Sequence, residues 1–159
     1  MRDIALTGAG GYIGQRLIEA LNDKRFCSNI YGIDINAPTV RSDKLHFEKK
    51  DIRDTDIISL WKDKKINTLV HLAFVVNPMH DDEKMYDINV NGTLNILKAC
   101  KDLGIKHLIV ASSGTAYGAW PDNPYPIKES DPIRVFPKKF NYAHHKGIIE
   151  KQISDFADN

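Results

Sequence analysis

Three glycines near the start of the chain have a spacing that could serve a phosphate group. Residues 7–14 read T-G-A-G-G-Y-I-G, in which Gly8, Gly11 and Gly14 are three residues apart. Glycine lets a chain bend sharply between a strand and a helix, and it lets backbone N–H groups approach a pyrophosphate at the helix N-terminus. The commonest dinucleotide pattern, G-x-G-x-x-G begun at Gly8, would need a glycine where Ile13 stands. We therefore predict a dinucleotide-binding loop of the longer G-x-x-G-x-x-G form.

A carboxylate follows this loop at the distance expected for a ribose contact. Asp34 lies twenty residues after Gly14, at the end of a second short apolar run. An acidic residue at this place accepts hydrogen bonds from both hydroxyls of the adenosine ribose. Residues 35–38 contain no cation to hold a 2′-phosphate, and Arg41 is the one nearby residue that would argue otherwise. The sequence favours NAD over NADP.

A tyrosine and a lysine could provide acid–base chemistry. Tyr142 and Lys146 are four residues apart, so on a helix they project from the same face. A neighbouring cation stabilises a phenolate and lowers the pKa of a tyrosine from about 10, which makes it a usable base. Ser112 and Ser113 form a serine cluster, and Tyr142 follows Ser113 by 29 residues. A lone Tyr-x-x-x-Lys is common by chance, so its order and distance from the other motifs give it weight.

The elements that must position these residues alternate along the chain. Short apolar runs indicate strands, and apolar residues at helical spacing indicate helices. The predicted strands are residues 4–6, 30–33, 45–48, 68–73 and 107–111, and the predicted helices are 12–22, about 55–62, 83–103 and about 140–156, with Gly104 as a stop and a proline-rich loop at 121–137. Regular alternation predicts a parallel sheet with helices on both faces, which is a doubly wound α/β fold.

Composition limits the classes of partner and compartment. The chain has 159 residues, 42% of them hydrophobic, and a formal net charge of +1. This predicts about one domain and gives no indication of a nucleic-acid or membrane partner. The longest apolar run, residues 70–76, is interrupted by His71 and is far shorter than a membrane span. The polar and glycine-rich start does not resemble a signal peptide, and Cys27 and Cys100 fit reduced thiols, so we expect a cytoplasmic protein.

The order of the motifs resembles one enzyme family. The glycine loop, the acidic end of strand two, the serine cluster and Tyr-x-x-x-Lys together are similar to the extended short-chain dehydrogenase/reductases, in particular the nucleotide-sugar epimerases and dehydratases. Three further stretches fit: Asp51-Ile52 resembles the pair that touches the adenine, His71-Leu72-Ala73-Phe74 resembles the end of strand four, and Asn89-Val90-Asn91-Gly92-Thr93 resembles a helix motif of the family. The resemblance implies a Rossmann-type fold over residues 1–159, truncated after the Tyr-x-x-x-Lys helix, with NAD as cofactor.

The resemblance also implies roles for individual residues. Tyr142 would remove the proton from a substrate hydroxyl, Lys146 would support the phenolate and hold the nicotinamide ribose, and Ser113 would orient the reacting oxygen. Asn89 stands at the place of the family's structural or active-site asparagine. The cofactor contacts that it implies are Gly8, Gly11, Tyr12, Ile13, Gly14, Asp34, Ile35, Asn36, Asp51, Ile52, Leu72, Ala73, Phe74, Asn89, Ala111, Ser112, Tyr142 and Lys146.

Three functions follow from this resemblance. The first is an epimerase of a nucleotide sugar that works through a keto sugar without net redox change. The second is a net oxidoreductase of the same family, and the third is a dinucleotide-binding module without catalysis. A dehydratase is not expected, because Gly114-Thr115 stand where that group carries an Asp-Glu pair. Family members are considerably longer and take most of their sugar-nucleotide pocket from the later part, so we expect a fragment or a shortened relative. The family's helix contacts imply a homodimer.

Other residues have simpler interpretations. His144 and His145 have no third metal ligand at a useful spacing, so we predict exposed helix histidines and no metal site. His71 lies among apolar strand residues and is expected to be a core or strand-end histidine. Trp120 is either a loop anchor or a ring that stacks on a base or sugar.

Overall fold

The chain folds into five strands with helices between them. The computed structural model describes residues 2–134 and 140–157. The elements are β1 (Arg2–Thr7), α1 (Tyr12–Asn22), β2 (Cys27–Asp34), β3 (Leu45–Lys49), α2 (Ile57–Trp61), β4 (Ile66–His71), α3 (Asp82–Tyr86), a π-helical turn (Asp87–Asn91), α4 (Gly92–Leu103), β5 (His107–Val110), a 3₁₀ turn (Gly114–Tyr117) and α5 (Asn141–Ala157).

All strand pairs of the sheet are parallel. The strand order is β3-β2-β1-β4-β5, so the chain runs outward on one side of β1 and then returns to the other side. In such a sheet, ligands bind outside the carboxyl ends of the strands where the order reverses, between β1 and β4. The predicted doubly wound α/β fold is confirmed.

The core explains why β1 reads as a continuous apolar run. Both faces of a central parallel strand are covered by helices. Ile4 pairs with Ile30 of β2 and with Thr68 of β4, and all three residues are buried. On one face, α1 contributes Ile18 and Leu21 to the cluster that holds Ile4 and Ile30.

Residues 83–103 are helical throughout, as their spacing predicts, but a π-helical turn interrupts the regular α-helical geometry in the middle. The segment consists of α3, the π-helical turn and α4, and the wide turn contains the buried Asn89. Gly92, the first residue of α4, packs so closely that a Cβ there would lie 2.6 Å from Ile52 Cδ1. Tertiary contacts at Asn89 and Gly92 therefore override the helical periodicity in the middle of the segment. The predicted stop is confirmed, since Gly104 ends α4 with a φ of +65°.

Every strand differs from its predicted range at one end or both, and β2 and β4 are the clearest cases. β2 begins at Cys27, three residues earlier than predicted, because polar residues there still pair with β1. β4 ends at His71, beyond which the Leu72 N–H is shared between the Thr7 carbonyl and hydroxyl and the Ala73 N–H bonds to the hydroxyl. Of the predicted proline-rich loop, Pro137 lies outside the described residues.

The described residues fall into two compact units. The first consists of Met1–Phe74 with Gly92–Ala111, and the second consists of Val75–Asn91 with Ser112–Asn159. The first unit holds the sheet and the second holds α3, the π-helical turn, the 3₁₀ turn and α5. Over residues 2–134 and 140–157, every helix is too short or too polar to cross a membrane.

Candidate functional site

The glycine loop of the first unit connects β1 to α1 in a conformation that requires glycine. Gly8 has a φ of +75°, and a Cβ there would lie 2.6 Å from the backbone nitrogen of Ala73. A Cβ at Gly14 would collide with the carbonyl oxygen of Gly8. Both glycines therefore permit a tight turn that any side chain would block.

The loop leaves the N-terminus of α1 open. Gly11 is the N-cap residue and provides no side-chain hydrogen bond, and the first turn contains no acidic residue. The side chains of Tyr12 and Ile13 are 79% and 59% exposed. The first N–H groups of a helix have no partner within it, and the helix dipole adds positive potential there. An anion can bind at this end of α1.

Asp34 lies at the end of β2 and contacts the glycine loop. Its Oδ2 accepts a hydrogen bond from the Gly10 N–H at 3.0 Å, and its Oδ1 accepts one from the Asn36 N–H at 2.9 Å. Each carboxylate oxygen has two lone pairs, so the half-buried carboxylate can accept further hydrogen bonds. Ile35 and Asn36, also predicted at this site, are exposed beside it.

Gly10 also belongs to this site, although it is not one of the three glycines that lie three residues apart. Besides its bond to Asp34, Gly10 accepts a hydrogen bond from Gln15 Nε2 at 2.9 Å. A Cβ at Gly10 would collide with the carbonyl oxygen of Asn36. In the sequence, only its position in the same octapeptide points to Gly10. Its contacts with Asp34 and Asn36 form because the end of β2 lies beside the loop.

A buried network of hydrogen bonds holds the ends of β1 and β4 together. The Thr7 Oγ1 lies 2.6 Å from His71 Nδ1 and accepts hydrogen bonds from the N–H groups of Leu72 and Ala73, each at 3.2 Å. The hydroxyl therefore donates its proton to His71 Nδ1, and His71 Nε2–H donates to Thr93 Oγ1 at 3.1 Å. This confirms His71 as a buried strand-end histidine. Thr7 was missed, because a threonine that ends a strand has no distinctive pattern.

Asp51 is held by an ion pair, whereas Ile52 is held by packing and a backbone hydrogen bond. The Asp51 carboxylate binds the Arg53 guanidinium at 2.6 and 3.0 Å. Ile52 is buried against Gly92, and its carbonyl accepts a hydrogen bond from Asn95 Nδ2 at 2.8 Å. The contact that we predict between this pair and an adenine stays a prediction, as do the contacts predicted for Phe74 and Ala111.

In the second unit, Ser113 begins the 3₁₀ turn. Its Oγ accepts hydrogen bonds from the Thr115 N–H at 3.3 Å and from the Thr115 hydroxyl at 3.0 Å. Because Thr115 donates in both bonds, the Ser113 proton is directed elsewhere. Ser112 and Ser113 line a cleft of about 680 Å³ with Tyr117, Glu129, Asp131 and Glu150.

Three carboxylates and one lysine, Lys151, line this cleft, so its lining carries a net negative charge. Desolvation raises the pKa of Tyr117, and the carboxylates of Glu129, Glu150 and Asp131 raise it further. The Tyr117 hydroxyl donates a long hydrogen bond to Glu129 Oε2 at 3.4 Å. The cleft therefore suits hydroxyl groups better than an anion.

Tyr142 and Lys146 lie together on α5, which packs against the 3₁₀ turn. The Lys146 Nζ lies 5.9 Å from the centre of the Tyr142 ring. Lys146 is buried, and this burial lowers its pKa to about 8, while Glu150 acts in the opposite direction. At neutral pH the side chain is still mainly an ammonium group.

Asn89 and His145 form a buried pair in the same unit. Both side chains are 1% exposed or less, and Asn89 Nδ2 lies 3.2 Å from His145 Nδ1. The Asn89 amide also bonds to the N–H and the C=O of Val75, at 2.7 and 3.1 Å. The prediction that His144 and His145 are exposed is wrong: His144 is half-buried, and α5 turns the His145 ring toward α3, where it meets Tyr86 edge-on at 5.4 Å.

Trp120 is held in its loop by contacts with Arg134. Its Nε1–H donates to the Arg134 carbonyl at 3.2 Å, and the Arg134 guanidinium lies 5.3 Å from the ring centre. Arg134 in turn binds Asp122 through two hydrogen bonds of 2.8 and 2.9 Å. These contacts support the loop anchor, and stacking on a base or sugar stays a prediction.

The residues of the first unit fit a dinucleotide. A pyrophosphate needs N–H groups that a backbone presents without side chains in the way. The turn through Gly8 and Gly14 leads to such groups in the uncapped first turn of α1, while the Gly11 N–H itself donates to the Gly8 carbonyl at 3.1 Å. A ribose needs an acceptor near that turn, and Asp34 lies beside Gly10.

Comparison with known proteins agrees with this geometry. The profile of the NAD dependent epimerase/dehydratase family matches residues 4–159. UDP-glucose 4-epimerase from Lacticaseibacillus casei is 33% identical over 98% of this chain and 46% of its own length, and the enzyme of the same name from Lactobacillus helveticus is 30% identical over 98% and 47%. The chain thus spans about half the length of these relatives.

A solved structure described as MoeE5 in complex with UDP-glucose and NAD superimposes with a TM-score of 0.80 at 27% identity, over 99% of this chain and 50% of that one. The Rossmann-type fold and the order of its motifs are therefore shared with proteins of this profile, and the chain belongs to the NAD-dependent epimerase/dehydratase family.

Proposed function

We propose that this chain binds NAD and serves in the epimerisation of a nucleotide sugar. The observation that carries the proposal is the contact between the glycine loop and Asp34, which combines an uncapped helix end with a ribose acceptor. Its family membership and the epimerases among its relatives support the reaction class.

The residues that would hold the cofactor divide by the part of NAD that they suit. The glycine loop with Tyr12 and Ile13 suits the pyrophosphate, and Asp34 with Asn36 suits the adenosine ribose. When bound, NAD supplies the acceptor and donor of a hydride for a carbon that carries a hydroxyl group. Asp34 favours NAD over NADP, because its carboxylate would repel a 2′-phosphate.

The second unit carries the groups proposed for proton transfer. Tyr142 would take the proton from the sugar hydroxyl and return it when the keto sugar is reduced on its other face, so protons and electrons balance with no net oxidation. Lys146 beside the Tyr142 ring would stabilise the phenolate, and Ser113 would donate a hydrogen bond to the reacting oxygen. A neutral, hydroxyl-rich sugar suits the electronegative cleft beside Ser113.

Cofactor binding tests the first part of the proposal. We expect NADH to bind more tightly than NADPH in a titration that follows nicotinamide fluorescence. Asp34→Ala should weaken NADH binding about 10- to 100-fold, because hydrogen bonds to a charged group are lost. Asp43→Ala, at an exposed aspartate, is the control and should bind like the wild type. Binding of neither cofactor, or tighter binding of NADPH, would contradict the proposal.

Turnover separates the three functions. With UDP-glucose and NAD, an epimerase forms the C4 epimer without accumulating free NADH, whereas a net oxidoreductase accumulates NADH. Tyr142→Phe should abolish either reaction and leave NADH binding within a few fold. NADH binding without turnover in the wild-type chain, together with indifference to Tyr142→Phe, would indicate the non-catalytic module instead.

A homodimer is the assembly that we propose. Leu94 on α4 is a large apolar side chain with 46% of its surface exposed, which suits a contact with a second copy.

A further inference from the structure

The orientation of the Asn89 amide is determined by one backbone residue. Asn89 Oδ1 accepts from the Val75 N–H at 2.7 Å, and Nδ2 donates to the Val75 C=O at 3.1 Å. Exchanging the oxygen and nitrogen would place two donors together and two acceptors together, so the amide cannot be reversed. The second N–H of Nδ2 is therefore the donor toward His145 Nδ1, 3.2 Å away.

This geometry determines the protonation of the His145 ring. A donor faces Nδ1, so Nδ1 must present its lone pair, and the proton of the neutral ring lies on Nε2. An Nδ1–H tautomer, or an imidazolium, would bring two donors together inside a buried pair. The edge-on Tyr86 ring, 5.4 Å away, supports the ring in this orientation.

We infer that His145 is a positioning residue that joins α5, the helix of Tyr142 and Lys146, to the backbone of Val75 through the Asn89 amide. His145 directly precedes Lys146 and follows Tyr142 by three residues, so the contacts of its buried ring act on the turn of α5 that carries both residues. Val75 directly follows the Leu72–Phe74 segment that we predict to line the cofactor. A second contact, from Asn141 Nδ2 to Asp82 Oδ1 at 2.6 Å, holds the first residue of α5 to α3.

The link between α5 and Val75 is independent of the proposed function, whereas its consequence for the cofactor rests on that function. If Lys146 holds the nicotinamide ribose, an α5 that is free to shift would hold it less well. His145 would then affect cofactor affinity without touching the cofactor.

The ring tautomer is the first test. Long-range proton–nitrogen NMR on the labelled wild-type chain at neutral pH should show an unprotonated Nδ1 and a protonated Nε2 for His145. The opposite tautomer, or a charged ring, would overturn the inference. No variant is needed, so this test does not depend on a substitution being tolerated.

Amide hydrogen exchange at Val75 tests the link itself. His145→Leu keeps an apolar body but removes the acceptor, so the Asn89 amide loosens and the Val75 N–H should exchange about tenfold faster, the loss of one hydrogen bond. His145→Asn offers a carbonyl oxygen at the place of Nδ1 to Asn89 Nδ2 and should restore slow exchange. Lys151→Gln, at an exposed residue of the same helix, is the control and should change nothing.

The amides of β1 and β4 report on global destabilisation. They should exchange at the wild-type rate in all three variants if the effect is confined to Val75. Unchanged exchange at Val75 in His145→Leu would overturn the inference. If that variant does not fold, wild-type exchange at Val75 in His145→Asn supports the link and faster exchange there contradicts it.

NADH affinity distinguishes this inference from the proposed function. We expect His145→Leu to weaken NADH binding about tenfold, and His145→Asn to bind NADH like the wild type. If the wild-type chain binds no NADH while the tautomer and the exchange results are as expected, the proposed function fails and the link between α5 and Val75 stands. NADH affinity unchanged in a His145→Leu chain with fast Val75 exchange would contradict the consequence for the cofactor.

Discussion

Lys146 has an unusual environment for a lysine. Its buried side chain lies beside the Tyr142 ring, and burial lowers its pKa to about 8. An ammonium group here can support a phenolate at neutral pH and loses its charge as the pH rises above that value. The proposed proton transfer would therefore lose this support on the alkaline side.

This burial predicts a dependence of stability on pH. The folded-state pKa lies below the ordinary lysine value of about 10.5, so the unfolded chain holds more protons between the two values. The contribution of this group should therefore make the free energy of unfolding rise with pH from about 8 to about 10.5. Below that range, the buried ammonium group lowers the free energy of unfolding by a constant amount. Denaturant unfolding of Lys146→Met against the wild type measures this contribution as the difference between the two curves.

The control is Lys151→Met, at an exposed lysine on the same helix. Its curve should run parallel to that of the wild type. Other titrating groups, such as Cys100 with a pKa raised to about 12 by burial, are common to all three proteins and cancel in the difference. A wild-type curve parallel to that of Lys146→Met would show that this lysine is solvated in the folded chain.

At the scale of elements, the turn from β1 to α1 can be tested with two glycines of similar φ. Gly8 has a φ of +75° and lies against the Ala73 backbone, whereas Gly104 has a φ of +65° and open space around its Cα. We expect Gly104→Ala to cost about 1–2 kcal/mol from conformational strain alone. Gly8→Ala should cost about 2–4 kcal/mol, because the collision adds to the strain. Equal losses of unfolding free energy in the two variants would show that the loop can move away from Ala73.

The junction of β1 and β4 depends on one hydroxyl group. Thr7→Val keeps the shape but leaves the Leu72 and Ala73 N–H groups and His71 Nδ1 without this buried partner. We expect a loss of about 2–4 kcal/mol in thermal or denaturant unfolding. Thr55→Val, at an exposed threonine, should change stability by less than about 0.5 kcal/mol. A near-neutral Thr7→Val would mean that water replaces the hydroxyl.

At the scale of the whole molecule, two exposed apolar residues predict different modes of association. Leu94 on α4 is 46% exposed, and Ile109 is 55% exposed on β5, which is an edge strand of the described sheet. If copies pair through α4 as we propose, Leu94→Lys should convert a dimer to a monomer and Ile109→Lys should have no effect. Light scattering at micromolar concentration measures both. A reversed result would indicate pairing through the sheet edge, and a monomeric wild type would contradict the proposed dimer.

The sequence by itself determined the class of the fold and the place of the dinucleotide loop. Alternating apolar runs predict a parallel sheet, and the bounds of α1 came out as its periodicity indicates, because these signals arise between residues a few positions apart. The position of Asp34 at the end of β2 could also be predicted from its distance to Gly14, because the length of one strand–helix–strand unit is nearly constant.

Only the tertiary structure decided which polar side chains are buried and what they hold. The Thr7–His71 bond joins residues 64 positions apart, and the Asn89–His145 bond joins residues 56 positions apart. The sequence did not show that His145 is buried or that a π-helical turn lies within residues 83–103, because periodicity cannot show which neighbour a helix face will meet. The glycine loop could be found from local pattern, whereas Gly10, Thr7 and His145 acquire their roles from strands and helices that lie far along the chain.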